Sequence, residues 1–184
     1  MADAMAALRP PEPRHPFPAR DPGRPKGLNA LGMFAHHPAL TRAFNTFNGH
    51  ILFATTLTTR QRELLVLRIA HRRRCEYEWL QHVLIGRDAG LDDADIERVV
   101  QGPDADGWDD LERALLAAAD ELLAEARVHH LTWATLARHL DPRQLLDVVF
   151  TVGAYDVVAM AFNTFDVEPD DDLRAAQERK RASP

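Results

Sequence analysis

The sequence predicts an all-α protein, a single-domain helical bundle of about six to seven helices. Apolar residues recur every three to four positions, most clearly at Leu111, Leu115, Ala118 and Leu122, and that spacing places them on one helix face. No alternating apolar and polar run of useful length predicts a strand. With 184 residues, 46% apolar and 27% charged, the chain has the size and composition of one globular domain.

The helices are predicted from the residues at their ends. Pro38 is tolerated at a first helical position, and Thr58-x-x-Gln61 has the pattern of a capping box. Asp92 and Thr132 are candidate N-caps for two short helices. In chain order, the predicted helices cover residues 38–53, 58–73, 75–89, 92–102, 108–126 and 132–140, and a last long one begins at Pro142. The last helix is apolar almost all round, which predicts burial in the core or between subunits.

Two flanking segments differ in composition from this domain. Residues 1–27 contain seven of the twelve prolines and are predicted to form an extended arm. Residues 169–184 are rich in charged side chains, beginning with Asp170, Asp171 and Asp172, and are predicted to be a solvated tail. The helical domain is expected to span residues 28–168.

Charge and composition argue against several classes of function. The net charge of −6 does not favour binding to nucleic acid or to anionic membranes, and the run Arg72 to Arg74 is explained by its place at a helix C-terminus. Cys75 is the only cysteine, so no intrachain disulfide can form. We see no cleavable leader and no apolar run of 18 or more residues. We therefore expect a cytoplasmic protein with no membrane or nucleic-acid partner.

Four reactive side chains carry the functional information: Glu63, Cys75, Glu78 and His82. Residues three and four apart share a helix face, so Cys75, Glu78 and His82 are expected to converge, with Glu63 contributed by the preceding helix. A thiol, two carboxyl groups and an imidazole in one place could support proton transfer or redox chemistry. Two ligands at Glu78 and His82 are too few for a catalytic metal site, so we predict no metal.

This Glu-x11-Cys-x2-Glu-x3-His pattern resembles that of the carboxymuconolactone decarboxylase and alkylhydroperoxidase D-like superfamily. The peroxidase branch carries a second cysteine where this chain has Glu78, and a glutamate there is similar to the decarboxylase-like branch. The likeness extends over roughly residues 29–168. It implies a cofactor-free enzyme, assembled as a trimer or hexamer, that acts on a small carboxylated lactone or related acid.

By that resemblance, His82 would shuttle a proton, oriented by Glu78, with Glu63 completing the relay. Arg68, Arg72 and Tyr77 are speculative substrate-binding residues. One alternative is a one-cysteine thiol peroxidase with Cys75 as the reactive thiolate, favoured by the neighbouring arginines and opposed by the nearby glutamates. Another is a non-catalytic helical oligomer that binds a small ligand or a partner protein.

Overall fold

Ten α-helices make up the regular structure of the computed structural model, which describes residues 1–17 and 24–182, together with one five-residue π-helical segment at His50–Ala54. No strand occurs in these described ranges, so the all-α prediction is confirmed. The helices are α1 (Ala2–Ala6), α2 (Leu28–Ala35), α3 (Pro38–Gly49), α4 (Thr59–Arg72), α5 (Glu76–Asp88), α6 (Asp93–Gln101), α7 (Asp110–Glu125), α8 (His130–His139), α9 (Pro142–Thr164) and α10 (Asp171–Ala182).

Most predicted helix ends agree with the structure because capping residues determine them. Thr58 and Gln61 form the predicted capping box at the start of α4, and Asp92 caps α6 in the same way. The prediction for Thr132 is wrong, since α8 begins at His130 and the Thr132 hydroxyl donates to Glu121 at 2.6 Å. The number of helices exceeds the prediction because α1, α2 and α10 were not predicted.

The two flanking segments are more ordered than predicted. Helix α1 precedes the first proline, Pro10, in a stretch that proline does not restrict, and the Asn45 side chain donates to the Ala4 carbonyl at 2.9 Å. Helix α10 buries Leu173 completely, so the C-terminal segment is not simply a solvated tail. The predicted arm includes residues 18–23, which lie outside the described residues.

The contacts divide the chain into two units. One comprises Met1–Thr55 with Phe162–Pro184, and the other comprises Thr56–Ala161. The predicted boundaries at residues 28 and 168 stay a prediction. The second unit contains all the candidate residues, so the site can be described within it.

Helix α4 forms the core of the second unit. Every residue from Arg62 to Ala70 is buried, and Leu64 and Leu67 belong to an apolar cluster with Val83 of α5 and Leu116 of α7. A helix surrounded on all sides holds its side chains in fixed positions. A polar residue on α4 must therefore find its partners inside the protein.

Helix α9 is the one helix in the described residues that is long and apolar enough to cross a membrane by length and composition alone. More than half of its most apolar stretch is buried inside the protein, as in the core helix of a globular domain.

Candidate functional site

The centre of the site is the carboxylate of Glu63 on α4, which is fully buried. Its Oε1 accepts from Arg62 Nε at 2.7 Å, and its Oε2 lies 2.7 Å from His82 Nδ1. Burial alone would raise the pKa of this carboxyl, but the charges and hydrogen bonds of His82 and Arg62 outweigh burial and hold the pKa below its usual range. Glu63 is therefore an ionised carboxylate at neutral pH.

His82 on α5 is oriented by this carboxylate. Its Nδ1–H donates to Glu63, which leaves Nε2 as the nitrogen that can exchange a proton. The ring stands at 90° to the ring of Tyr155, with 5.0 Å between the centroids. The sequence predicted Glu78 as the orienting carboxylate, and this is wrong, because the carboxylate of the neighbouring helix α4 occupies Nδ1.

Glu78 is buried without a strong partner. Its side chain is 2% exposed, and within the described residues neither carboxyl oxygen accepts a hydrogen bond of normal geometry. Burial raises the pKa of Glu78 well above its usual range, the charge of Asp156 raises it further, and the adjacent Cys75 thiol opposes the shift only weakly. Burial without a cationic partner among the described residues therefore favours the neutral, protonated form of Glu78.

Cys75 is the N-cap residue of α5 and is 1% exposed. Burial, and next the charge of Glu78, raise the pKa of this thiol to about 12. Arg72 and Arg73, which the sequence predicted would favour the thiolate, are each paired with an aspartate instead. The side chain is therefore a thiol and not a thiolate at neutral pH.

Arg68, proposed from sequence as a substrate-binding residue, has an internal structural role. Its guanidinium makes two hydrogen bonds to Asp120, at 2.8 and 2.7 Å, and donates to the carbonyls of Val99 and Val100. A Cβ at Gly102, whose φ is +104°, would lie 2.7 Å from the guanidinium. These partners use the donors of Arg68 inside the protein.

A cleft of about 640 Å³ opens beside Cys75, within the size range of small-molecule sites. Arg72 lines it, whereas Tyr77 is buried and does not. Three further residues line this cleft and were not predicted from the sequence, although all lie within four positions of Cys75. They are His71, Arg74 and Trp79.

The sequence also did not predict that two residues of α9 contribute to this site. The ring of Tyr155 packs against that of His82, and the charge of Asp156 raises the pKa of Glu78. These α9 residues lie more than 70 positions from His82 in the chain, and no local pattern links them to the motif. Within the described residues, no three His, Cys, Asp or Glu side chains converge as a metal site.

The pattern that defines the Carboxymuconolactone decarboxylase family matches residues 38–121, which include all four motif residues. Solved structures with the same fold include a protein of unknown function from Agrobacterium tumefaciens, described as a putative antioxidant defence protein AhpD. It has a TM-score of 0.70 and 19% identity, over 74% of this chain and 94% of that one. Residues 38–121 of this chain therefore resemble the carboxymuconolactone decarboxylase family, and the chain shares the fold of AhpD-like structures.

Two further structures extend the comparison. The alkylhydroperoxidase AhpD core of an uncharacterised peroxidase-related protein from Ralstonia eutropha JMP134 has a TM-score of 0.70 and 22% identity, over 89% of this chain and 95% of that one. An alanine variant of the debrominase Bmp8, in complex with 2,3,4-tribromopyrrole, has a TM-score of 0.69 and 16% identity, over 84% and 82%. No curated protein sequence matches this chain. At these identities the structures show a shared fold.

Proposed function

We propose that this protein is a cofactor-free proton-transfer enzyme of the decarboxylase-like branch, acting on a small carboxylated lactone or related acid. The observation that carries the proposal is the contrast between two buried carboxyl groups: Glu63 is bonded to Arg62 and His82, whereas Glu78 has no hydrogen-bond partner of normal geometry among the described residues, so their pKa values shift in opposite directions. Glu63 is held ionised and Glu78 is held protonated. Environments that separate the pKa values of paired titratable groups are the usual basis for assigning an acid and a base.

Glu78 is the proposed general acid. In a decarboxylation, the bond from carbon to the carboxylate breaks, carbon dioxide leaves, and the electron pair moves into the conjugated lactone as an enolate. The proton of Glu78 then passes to carbon and completes the product. A neutral buried acid suits this step because it adds no negative charge that would repel the substrate carboxylate.

His82 is the proposed proton carrier that returns a proton to Glu78 after each turnover. The hydrogen bond from Nδ1 to Glu63 fixes the tautomer, so Nε2 is the nitrogen that accepts and releases the proton. In this proposal Cys75 is a small residue in the wall of the cleft whose thiol lies next to Glu78.

The test is turnover of a carboxylated butenolide in D2O, followed by NMR for product and for deuterium at the protonated carbon. We expect Glu78→Gln and His82→Ala to lower kcat by roughly 10²–10⁴-fold, the usual contribution of a positioned acid or base. Cys75→Ala should retain most of the activity, and Glu97→Gln, at an exposed glutamate, is the matched control. Unchanged turnover by His82→Ala would refute the assignment.

A second candidate function is a one-cysteine thiol peroxidase. It is favoured by the position of Cys75 in the wall of an open cleft. The pKa of about 12 opposes it, because the thiolate is the form that attacks peroxide. Mass spectrometry of Cys75 after exposure to hydrogen peroxide at pH 7 separates the two functions. Rapid sulfenic acid formation that slows in Glu63→Gln would favour the peroxidase.

We further propose that the protein works in the cytoplasm as a homo-oligomer, a trimer or hexamer. Support comes from α9, where five large apolar side chains are exposed at helical spacing: Leu146, Val149, Phe150, Val157 and Met160. Light scattering that gave only a monomer of 20.7 kDa would refute the oligomer. An oligomer in which alanine at all four motif positions changed no activity would favour the non-catalytic alternative.

A further inference from the structure

The turn between α4 and α5 contains an arginine in a conformation that usually selects glycine. Arg74 has φ +52° and follows Arg73, the C-cap residue of α4. The amide of Arg74 donates to the His71 carbonyl at 3.1 Å, and that of Cys75 donates to the Ala70 carbonyl at 2.9 Å. This pair of bonds defines a Schellman motif, whose left-handed position is most often glycine. A side chain at this position strains the backbone.

Arg74 lines the cleft beside Cys75, and within the described residues its guanidinium is an unpaired positive charge of that cleft. Arg74 is exposed and makes no ion pair with any residue that the structure describes. Arg72, also in the cleft, lies 3.3 Å from Asp120, which partly neutralises it. Glu76 is the acidic residue of the lining. The guanidinium of Arg74 is therefore the group with donors to spare for an anionic ligand.

Two aromatic rings line the same cleft, with their planes inclined at 58° to each other. The imidazole of His71 and the indole of Trp79 have centroids 6.0 Å apart, and the partly buried indole packs against the apolar core cluster. Burial, followed by the charges of Arg68 and Arg72, holds the pKa of His71 below its usual value, so the imidazole is neutral at pH 7. The face of the packed indole favours contact with a planar conjugated ligand over a saturated one.

We propose that this cleft binds a planar, conjugated carboxylate, with Arg74 pairing with the carboxylate and Trp79 contacting the flat body of the ligand. The proposal names the substrate class of the site described above and rests on the proposed function to that extent. It also assigns a reason for arginine at the left-handed position: the side chain binds the ligand at a cost in backbone strain.

The test uses benzoate as the probe, titrated into the full-length protein by isothermal titration calorimetry. Benzamide and cyclohexanecarboxylate serve as the uncharged and the non-planar controls. We expect Arg74→Gly to weaken benzoate binding by at least tenfold, as loss of a charge-assisted pair requires. The same variant should raise Tm because glycine removes the strain.

Ala126 provides a matched control. It occupies the left-handed C-cap position of α7 with φ +56° and does not line the cleft. Ala126→Gly should therefore raise Tm without changing benzoate affinity. Equal benzoate affinity in Arg74→Gly and wild type would overturn the proposal, as would equal binding of benzamide and benzoate.

The ligand proposal and the proposed reaction can be refuted separately, by measuring binding and turnover. Glu78→Gln should lose turnover and still bind benzoate, because Arg74 and Trp79 are unchanged in this variant. Benzoate binding without turnover of any carboxylated lactone would support the ligand class and refute the proposed reaction. Turnover without benzoate binding would support the proposed reaction and refute the ligand class.

Discussion

Replacing Glu63 with glutamine tests whether the buried ion pairs organise the site. The side chain is fully buried and joins Arg62, which is 5% exposed, to His82. Glutamine keeps the shape but removes the negative charge, so the guanidinium of Arg62 loses an ionic partner inside the protein. Breaking a buried pair by removing one partner costs about 3–5 kcal/mol of unfolding free energy. For a chain of this size, that corresponds to a fall in Tm of about 6–20 °C.

The pH dependence gives a second readout. The pKa of Glu63 is lowered in the folded state, so its stabilisation is complete above the ordinary glutamate pKa and disappears as pH falls through the folded value. The difference between wild type and Glu63→Gln should therefore be largest near pH 7 and should shrink toward acid pH.

Urea unfolding at pH 7 and at pH 4, followed by circular dichroism, measures both effects. Glu97→Gln makes the same chemical change at an exposed position and should alter stability by less than about 0.5 kcal/mol. A Glu63→Gln protein within 1 kcal/mol of wild type at pH 7 would refute the reasoning, because the carboxylate would then not balance a buried charge.

Three further predictions concern the same unit. Alkylation of Cys75 by iodoacetamide should be slow at pH 7 and should still accelerate above pH 10, consistent with a pKa of about 12; a midpoint near 8.5 in the mass-spectrometric rate profile would contradict this. As pH rises from 4 to 8, the Tm of Glu78→Gln should rise relative to that of wild type. The wild-type protein loses stability over that window because the pKa of Glu78 is raised in the folded state. A constant Tm difference in calorimetry would count against a neutral Glu78. Leu67→Ala, in the core cluster, should lose about 2–5 kcal/mol in urea unfolding, and a loss below 1 kcal/mol would show that α4 is not the core.

The positions of α4 to α9 were predictable because local residues specify them. Thr58 with Gln61 and Asp92 satisfy backbone amides within one turn, so the caps can be recognised without knowing the fold. Leu173 shows the limit of this approach. Its surroundings are strongly charged, and only packing within its own unit makes α10 a buried element.

The motif could be recognised in the sequence as a set of candidate residues, but the pairing of its side chains could not. Glu78 and His82 are correctly spaced to meet on α5, yet His82 pairs with Glu63, 19 positions away, because side-chain packing sets the rotation of α4 against α5. Arg68 was proposed from the sequence as a substrate-binding residue because its distant partner could not be recognised. Its partner Asp120 lies 52 positions away, and no local pattern shows that they pair.

The complete burial of α4 has a consequence for changing the activity of this protein by laboratory evolution. A library that randomises residues 62–70 would consist mostly of unfolded variants, because each of these side chains is buried in the core. The turn at residues 71–76 and Trp79 border the cleft, and several of these side chains reach solvent. New substrates are therefore best sought through this short segment, with the Glu63 helix left unchanged.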